Sequence, residues 1–270
     1  MQLWGDVKME SVERFFRQSW LSFYSLTGWF NPKIYFFTKL LTPIMQLIFF
    51  CLFTKYVYHT NDLTTRVVGN SFLLCINNCV FGIGGDLSIE RYYGTLKMIM
   101  ASPANKFINF CQRGFFHVID AASSVIIGFW AGEIFFNVSF KDVNFLVLLF
   151  IILVAMFAAT GLGLFLGSFG LLTSDMNLLI NTASMFLLAL TGANFPIEKF
   201  PYAVQQISYC LPLTRSIKAA NLIMQGNQLS SISSLMIGEF ILGIVYIIAG
   251  YLLLNLLENL SRKNATLDIC

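Results

Sequence analysis

Charge is what this sequence lacks. Charged residues make up 11% of its 270 positions, against about 25% in a soluble globular chain. Hydrophobic residues reach 57%, and the mean hydropathy is +0.71. A chain this poor in charge cannot keep its surface in water, so the composition describes a polytopic membrane protein. Between Asp142 and Asp175 there is no charged side chain across 32 positions, more than the ~20 residues needed to cross a bilayer as a helix. No Gly-x-x-x-x-Gly-Lys-Ser/Thr occurs, so no loop is built to cradle ATP phosphates. Neither His-Glu-x-x-His nor Gly-x-Ser-x-Gly occurs, which leaves metalloprotease and lipase chemistry without support. The first 30 residues carry Asp6, Glu10 and Glu13 and lack a continuous apolar core, which is not the pattern of a secretory signal. Six cysteines are present, and Cys51, Cys75, Cys79 and Cys111 lie in or beside apolar runs. Cys75 and Cys79 share a helix face but have no His or carboxylate beside them, so they read as small packing residues rather than metal ligands.

What is present divides into six apolar runs with short connections. The fold expected is all-α, a single unit over 1–270: an interfacial segment over 1–33, a six-span bundle over 34–257 and a tail over 258–270. In residues 10–24, Val12, Phe15, Phe16, Trp20 and Phe23 recur at helical spacing opposite Glu13, Arg14 and Arg17. That pattern predicts an amphipathic helix lying on the membrane. The first span covers about 34–57, with Pro43 inside it and Lys39 and Lys55 placed to snorkel. The second fits the 19 uncharged residues between Arg66 and Asp86 and is polar for a span, with Asn70, Ser71, Asn77 and Asn78. Such side chains need partners in hydrocarbon, so this helix is expected to face protein or a wet pathway.

The third span runs from Phe107 or Arg113 to Gly132 and contains His117 and Asp120 on one face. An ionised carboxylate at mid-membrane costs on the order of 2.5–3.5 kcal/mol; Asp120 serves either a structural bond, with Arg113 about two turns away, or an ion relay with His117. The fourth span carries Gly163 and Gly167, a pair spaced for close helix contact. A fifth begins near Met176 and ends at Asn194-Phe195-Pro196, and a sixth occupies about 235–257 with Glu239 near its start. Over 196–226, Pro196, Pro201 and Pro212 interrupt a segment too broken to span and too apolar for a plain loop. Two short helices dipping into the membrane edge suit it.

Between the second and third spans, Tyr93, Leu96, Ile99 and Met100 recur three or four apart, with Glu90, Arg91 and Lys97 elsewhere and Pro103 as a stop. The spacing predicts one surface helix of about three turns over Glu90–Met100. Glu90-Arg91-x-x-Gly94-Thr95-Leu96, followed by Ala101-Ser102-Pro103, resembles the segment after the second span of type-2 ABC exporter permeases, which move drugs, polysaccharides and lipids. Thr191-Gly192-x-x-Phe195-Pro196-x-x-x-x-Pro201, then Leu211-Pro212-Leu213-Thr214, resembles the external re-entrant hairpin of the same permeases.

The resemblance implies that Glu90, Arg91, Gly94, Thr95 and Leu96 form a cytoplasmic coupling helix seated on a soluble ABC ATPase. Two ATPase copies would bind ATP and Mg, and this chain would bind no cofactor or metal of its own. It also implies a second permease subunit, identical or paralogous, paired through the second and fifth spans. Asn77, Asn78, Asn181, Phe186 and Asn194 would then border the substrate path, with Phe195, Pro196, Pro201 and Pro212 in the hairpin above it. Phe72 and Phe81 fit a core or lipid-facing role as well as contact with an apolar substrate. The implied substrate is amphipathic or apolar: a drug, peptide antibiotic, lipid or glycolipid. Two other classes stay open. An ion-coupled secondary transporter would use His117 and Asp120 and leave the surface helix without purpose. A membrane scaffold or assembly factor would leave the polar second span without one.

Orientation follows from the flanking cations. With the N-terminus inside, eleven Lys and Arg fall on the cytoplasmic side and six outside, the bias expected when both termini face the cytoplasm of a cell membrane. Arg215 and Lys218 are then outside, against the trend. On this topology an impermeant thiol reagent applied to intact cells carrying single-cysteine variants labels Cys210 and spares Cys270. Labelling of both from one side would overturn the six-span layout.

Overall fold

A computed structural model of the chain describes residues 13, 15–21, 24, 32–59, 62–102, 105–140, 143–173, 175–226 and 229–264. Val12, Arg14 and Phe23 of the expected interfacial helix, Pro103 and Cys270 lie outside them, as do the side chains of Lys97, Met100, Arg113, Arg262 and Lys263.

Every regular element among the described residues is helical. Residues 15–21 form α1, and Phe15, Phe16 and Trp20 meet Phe115 and Phe116 edge to face at 5.3–5.7 Å between centroids. Next come α2 (Pro32–Tyr58), which continues through Pro43, and α3 (Thr64–Leu73). A π-helical segment (Asn77–Gly82) leads into α4 (Ile83–Tyr92), and α5 (Leu96–Ala101) follows a turn. The long helices α6 (Lys106–Phe136) and α7 (Phe145–Ser168) come next, the latter finishing in a 3₁₀ turn over Phe169–Leu171. Then come α8 (Met176–Leu190), α9 (Tyr202–Cys210), α10 (Thr214–Met224) and α11 (Leu229–Asn264). Starts are written in the sequence. Asn105 Oδ1 accepts from Phe107 N and Ile108 N at 3.1 and 3.2 Å, and Asn144 Oδ1 accepts from Leu146 N at 3.1 Å, each satisfying first-turn amides that lack an intrahelical partner.

Close contacts give the direction of each helix. Val67 meets Gly132, Ser71 meets Gly128 and Ile83 meets Gly114, so α6 runs against the α3–α4 stretch. Cys79 meets Gly163, Gly84 meets Gly167 and Leu87 meets Gly170; the numbers rise together, so α7 runs with α3–α4. Ala158 meets Gly243 and Phe165 meets Gly250, which makes α11 parallel to α7. Gly69 meets Ala193 and Gly84 meets Ile180, so α8 runs opposite to α3–α4. Successive passes therefore alternate between two ends, one holding the α4–α5 turn and the other the α9–α10 hairpin.

Among the described residues, five helical stretches are long and apolar enough to cross a membrane: Leu40–Val57, Thr64–Tyr92, Lys106–Phe136, Phe145–Leu171 and Ile232–Leu260. The fifth expected span is shorter than its sequence interval. Helix α8 has 15 residues, about 22 Å at 1.5 Å per residue. It stops where the Thr191 hydroxyl donates back to Leu187 O at 2.6 Å and Gly192 takes a left-handed φ of +86°.

Small residues set how closely the passes approach. A Cβ at Gly163 would overlap the carbonyl oxygen of Cys79, and one at Gly167 would lie 2.5 Å from the Phe110 ring. The Gly163/Gly167 pair thus packs backbone on backbone against the π segment and α4. On the next face of α7, a Cβ at Gly161 would lie 2.8 Å from Gly243 O, and Ser168 Oγ bonds Gly250 O at 3.1 Å. Gly163→Val should therefore abolish the monodisperse folded protein in detergent. Gly85→Ala, where a Cβ meets nothing within 4 Å, should hold or raise the melting temperature, since helix propensity favours alanine by about 0.5–1 kcal/mol. Equal behaviour of the two variants would mean that close approach does not decide this packing.

Candidate coupling elbow and exit hairpin

At one end of the bundle the chain turns sharply after α4. Tyr92 is the last helical residue and Gly94 takes φ +73°. Gly94 N bonds Arg91 O at 3.0 Å and Thr95 N bonds Glu90 O at 3.0 Å, the paired bonds of a Schellman helix end. The single three-turn helix expected over Glu90–Met100 is therefore two helices joined by an elbow. Gly94 supplies the left-handed residue of that ending, and within this chain a Cβ there would meet nothing within 4 Å.

The elbow ties the expected coupling residues together. The Thr95 hydroxyl donates to the Glu90 carboxylate, and Arg91 Nη2 donates to Leu171 O at 3.1 Å where the α7 run ends. Leu96, 2% exposed, sits among Ile83, Leu87, Phe110, Leu171, Leu254 and Leu257. Burial of such a side chain stabilises by about 1.5–3 kcal/mol. Tyr92 and Met98 are 86% and 75% exposed, and Tyr93 is exposed between them. The helical periodicity had put Tyr93 and Leu96 on one face; the left-handed Gly94 turns them apart. A glycine followed by Thr-Leu after a run of helix formers was the signal for that ending.

The polar second span faces two ways. Asn70 Nδ2 donates to Asn194 Oδ1 at 3.1 Å, Asn194 Nδ2 to Leu188 O at 3.2 Å, and Arg66 Nη1 to Ala193 O at 2.9 Å. Asn194 thus closes the end of α8 onto α3. Asn78 Nδ2 reaches Ser124 Oγ on α6 at 3.1 Å. Asn77, Asn181 and Phe186 lie on open faces, and Asn181 Nδ2 donates back to Asn177 O of its own helix at 2.7 Å. The π-helical segment shifts the helix phase between Asn70 and Asp86. Its last residue, Gly82, leaves room for the buried His117 ring, whose Nδ1 would be 2.7 Å from a Cβ there. The Asp120 carbonyl accepts from the Ser123 and Ser124 hydroxyls at 2.7 and 3.1 Å.

At the other end, α9 and α10 form the two short helices expected over 196–226, with Pro201 directly before α9 and the exposed Phe195 beside Pro196 at the close of the α8 turn. Their junction is held from a distance. Pro212 is buried, and Leu213 takes φ +74° although it is not glycine. Glu239, fully buried on α11, accepts from Leu213 N at 2.5 Å and Arg215 N at 3.2 Å. A carboxylate borrowed from another helix thus caps α10, which has no side-chain cap of its own. Gly238 leaves space for the Arg215 guanidinium, Nε 3.0 Å from a Cβ built there. Tyr246 Oη donates to Cys210 O at 2.9 Å, and Thr214 Oγ1 to Ser208 O at 2.7 Å. Glu239 was visible in sequence only as a carboxylate inside an apolar run; its partner lies 26 positions away and could not be read from spacing. Glu239→Gln keeps one acceptor and leaves a buried backbone N–H unpaired, so thermal unfolding should show a loss of about 1–3 kcal/mol. Glu239→Asp, too short for both donors, should fall in the same direction, and an unchanged melting temperature in both would remove the cap.

The sequence model of the ABC-2 type transporter family matches residues 18–224, from the interfacial segment through both helices of the hairpin. No curated protein matches the chain. That one stretch takes in the polar second span, the elbow and the Pro-rich hairpin, over well more than half of the 270 residues; the chain belongs to the ABC-2 type transporter family and is a multi-pass membrane permease component.

Proposed function

We propose that this permease exports an amphipathic or apolar substrate (a drug, peptide antibiotic, lipid or glycolipid) from the cytoplasm or inner leaflet, energised by a separate ATPase. The observation that carries the reading is the elbow at Gly94. Its exposed tip of Tyr92, Tyr93 and Met98 stands on a base fixed by Leu96, Arg91 and the Schellman bonds. A tip of that kind suits docking on a soluble partner, and a rigid base suits transmission of force. The elbow end then faces the cytoplasm, with both termini, and the hairpin end faces outward.

A continuous path joins the two ends. Leu254 and Leu257 of α11 share the cluster that buries Leu96, and Glu258 pairs with Lys106 at 2.9 Å. Nineteen residues earlier on the same helix, about 28 Å away, Glu239 holds the hairpin. Two ATPase subunits closing on ATP and Mg would push two elbows, and α11 would carry the displacement to the exit. A second permease copy, paired through the second and fifth passes, would cover Asn77, Asn181 and Phe186.

The test is reconstitution with an ABC ATPase that co-purifies with the permease. Gly94→Val, which imposes about 1–3 kcal/mol of backbone strain at a left-handed φ, should insert normally and lose most substrate-stimulated ATP hydrolysis. Gly94→Asn, tolerant of that conformation, should retain most of it, and the permease alone should hydrolyse none. Full stimulation in Gly94→Val would reduce the elbow to a solvated turn. Flux that persists without ATP and follows the proton gradient would favour the ion-coupled reading through His117 and Asp120.

A further inference from the structure

At the hairpin end a cleft of about 280 Å³ opens between the first turn of α3, the loop 191–198 and one face of α10. Thr65 and Arg66 contribute from α3, Glu198 from the loop, and Lys218 and Asn221 from α10. The volume lies below the ~300 Å³ at which pockets begin to hold whole drug-sized molecules. It is sized for a head group rather than a complete amphiphile. Arg66 is in the first turn of the Thr64–Tyr92 membrane stretch, which places the cleft where hydrocarbon gives way to water.

The lining separates into donors and acceptors. Arg66 is held by the bond from Nη1 to Ala193 O. Lys218 Nζ is steered by Tyr209, 3.3 Å from its hydroxyl and 5.8 Å above the ring centroid. Two cations lining one cleft at a lipid–water interface fit a phosphate, for which the guanidinium offers a planar fork and the ammonium a point charge. The acceptors are the exposed Glu198 carboxylate and Asn221 Oδ1. That amide oxygen is buried and accepts no hydrogen bond among the described residues, an expensive arrangement unless an incoming donor completes it.

A phosphate at one side and a multiple N–H donor at the other describe one chemistry. We propose that this cleft binds the aminophosphate head group of a zwitterionic membrane lipid. Its phosphate lies on Arg66 and Lys218, and its primary ammonium on Asn221 Oδ1 and Glu198. A quaternary ammonium has no N–H to give Asn221, and a polyol head has no positive charge for Glu198, so the cleft discriminates against both. The assignment rests on the hairpin end lying at a lipid–water interface. It does not depend on ATP-driven export or on which substrate is carried.

The experiment uses the full-length permease, delipidated in detergent and without ATPase, titrated by native mass spectrometry. The probes are dioleoyl-phosphatidylethanolamine, -phosphatidylcholine and -phosphatidylglycerol, and soluble phosphoethanolamine. The wild type should retain one ethanolamine lipid roughly tenfold more tightly than either other lipid, the preference expected when one buried partner is left unpaired. Lys218→Met should weaken both phosphatidylethanolamine and phosphatidylglycerol, and Lys218→Arg should restore them. Asn221→Leu with Glu198→Gln should erase the preference for ethanolamine while leaving phosphatidylglycerol binding in place. Equal binding of the three lipids, or a preference that survives the double variant, would overturn the proposal. Phosphoethanolamine binding as tightly as the lipid would show a site for a free aminophosphate and overturn the lipid assignment. Loss of ATP-driven transport in any variant leaves these outcomes unaffected.

Discussion

Within the hydrocarbon of a bilayer no water is available to complete a hydrogen bond, so each polar group must find its partner inside the protein. The irregular parts of this permease can be understood from that constraint. Ser71, Ser184 and Thr191 return their hydroxyls to carbonyls one turn back on their own helices. Asn70 and Asn194 meet each other where α8 ends against α3, and Asn78 meets Ser124 where the second pass touches the third. The same pressure acts at the α9–α10 hairpin, where a helix begins inside the protein and its first amides would otherwise be orphaned. Glu239 reaches across from α11 to receive two of them, and with that carboxylate in place Leu213 is held at a left-handed φ that its side chain disfavours.

Apolar helices in lipid have no hydrophobic drive toward one another, so their association depends on how closely they can pack. Here the close faces are glycines set against backbone. Gly163 and Gly167 face the π segment and α4, while Gly161, Gly243 and Gly250 join α7 to α11. The second, fourth and sixth passes run in one direction and form a single packed wall. The elbow and the hairpin hang from opposite ends of that wall, one through Leu96, Leu254 and Leu257, the other through Glu239 and Tyr246. In a close-packed body, displacement at one end cannot be absorbed locally by loose side chains. Helix α11 is the element that touches both ends, through Leu254 and Leu257 at the elbow and Glu239 at the hairpin.

Much of this was legible from charge and period. The charge-free interval before Asp175 became α7, the polar second pass did find partners on neighbouring helices, and three prolines over 196–226 did mark two short helices. Pro43 did not interrupt α2. The surface segment was less legible, because Tyr93 and Leu96 fit one helical stripe and nothing in a 3.6-residue period announces a left-handed residue between them. The contact of Glu239 with the Arg215 backbone amide was not legible, because the two lie on different helices, 24 positions apart.

By itself the sequence determined the all-helical class, the approximate limits of most of the long helices, and the family motifs around Gly94 and over 196–226. These follow from interactions within a few residues: periodic burial, asparagine caps, and proline or glycine stops. Only the tertiary structure decided which helices run in parallel, that Gly163 and Gly167 press on the π segment, and that Asn194 turns inward to Asn70 while Asn181 stays on an open face. It alone brought Glu239 to the amides of Leu213 and Arg215. The reason is that local spacing specifies which side of a helix is apolar or polar. The neighbour that covers that side is chosen by packing between segments far apart in the chain, where the fit of small residues and the supply of one missing hydrogen bond decide the partner.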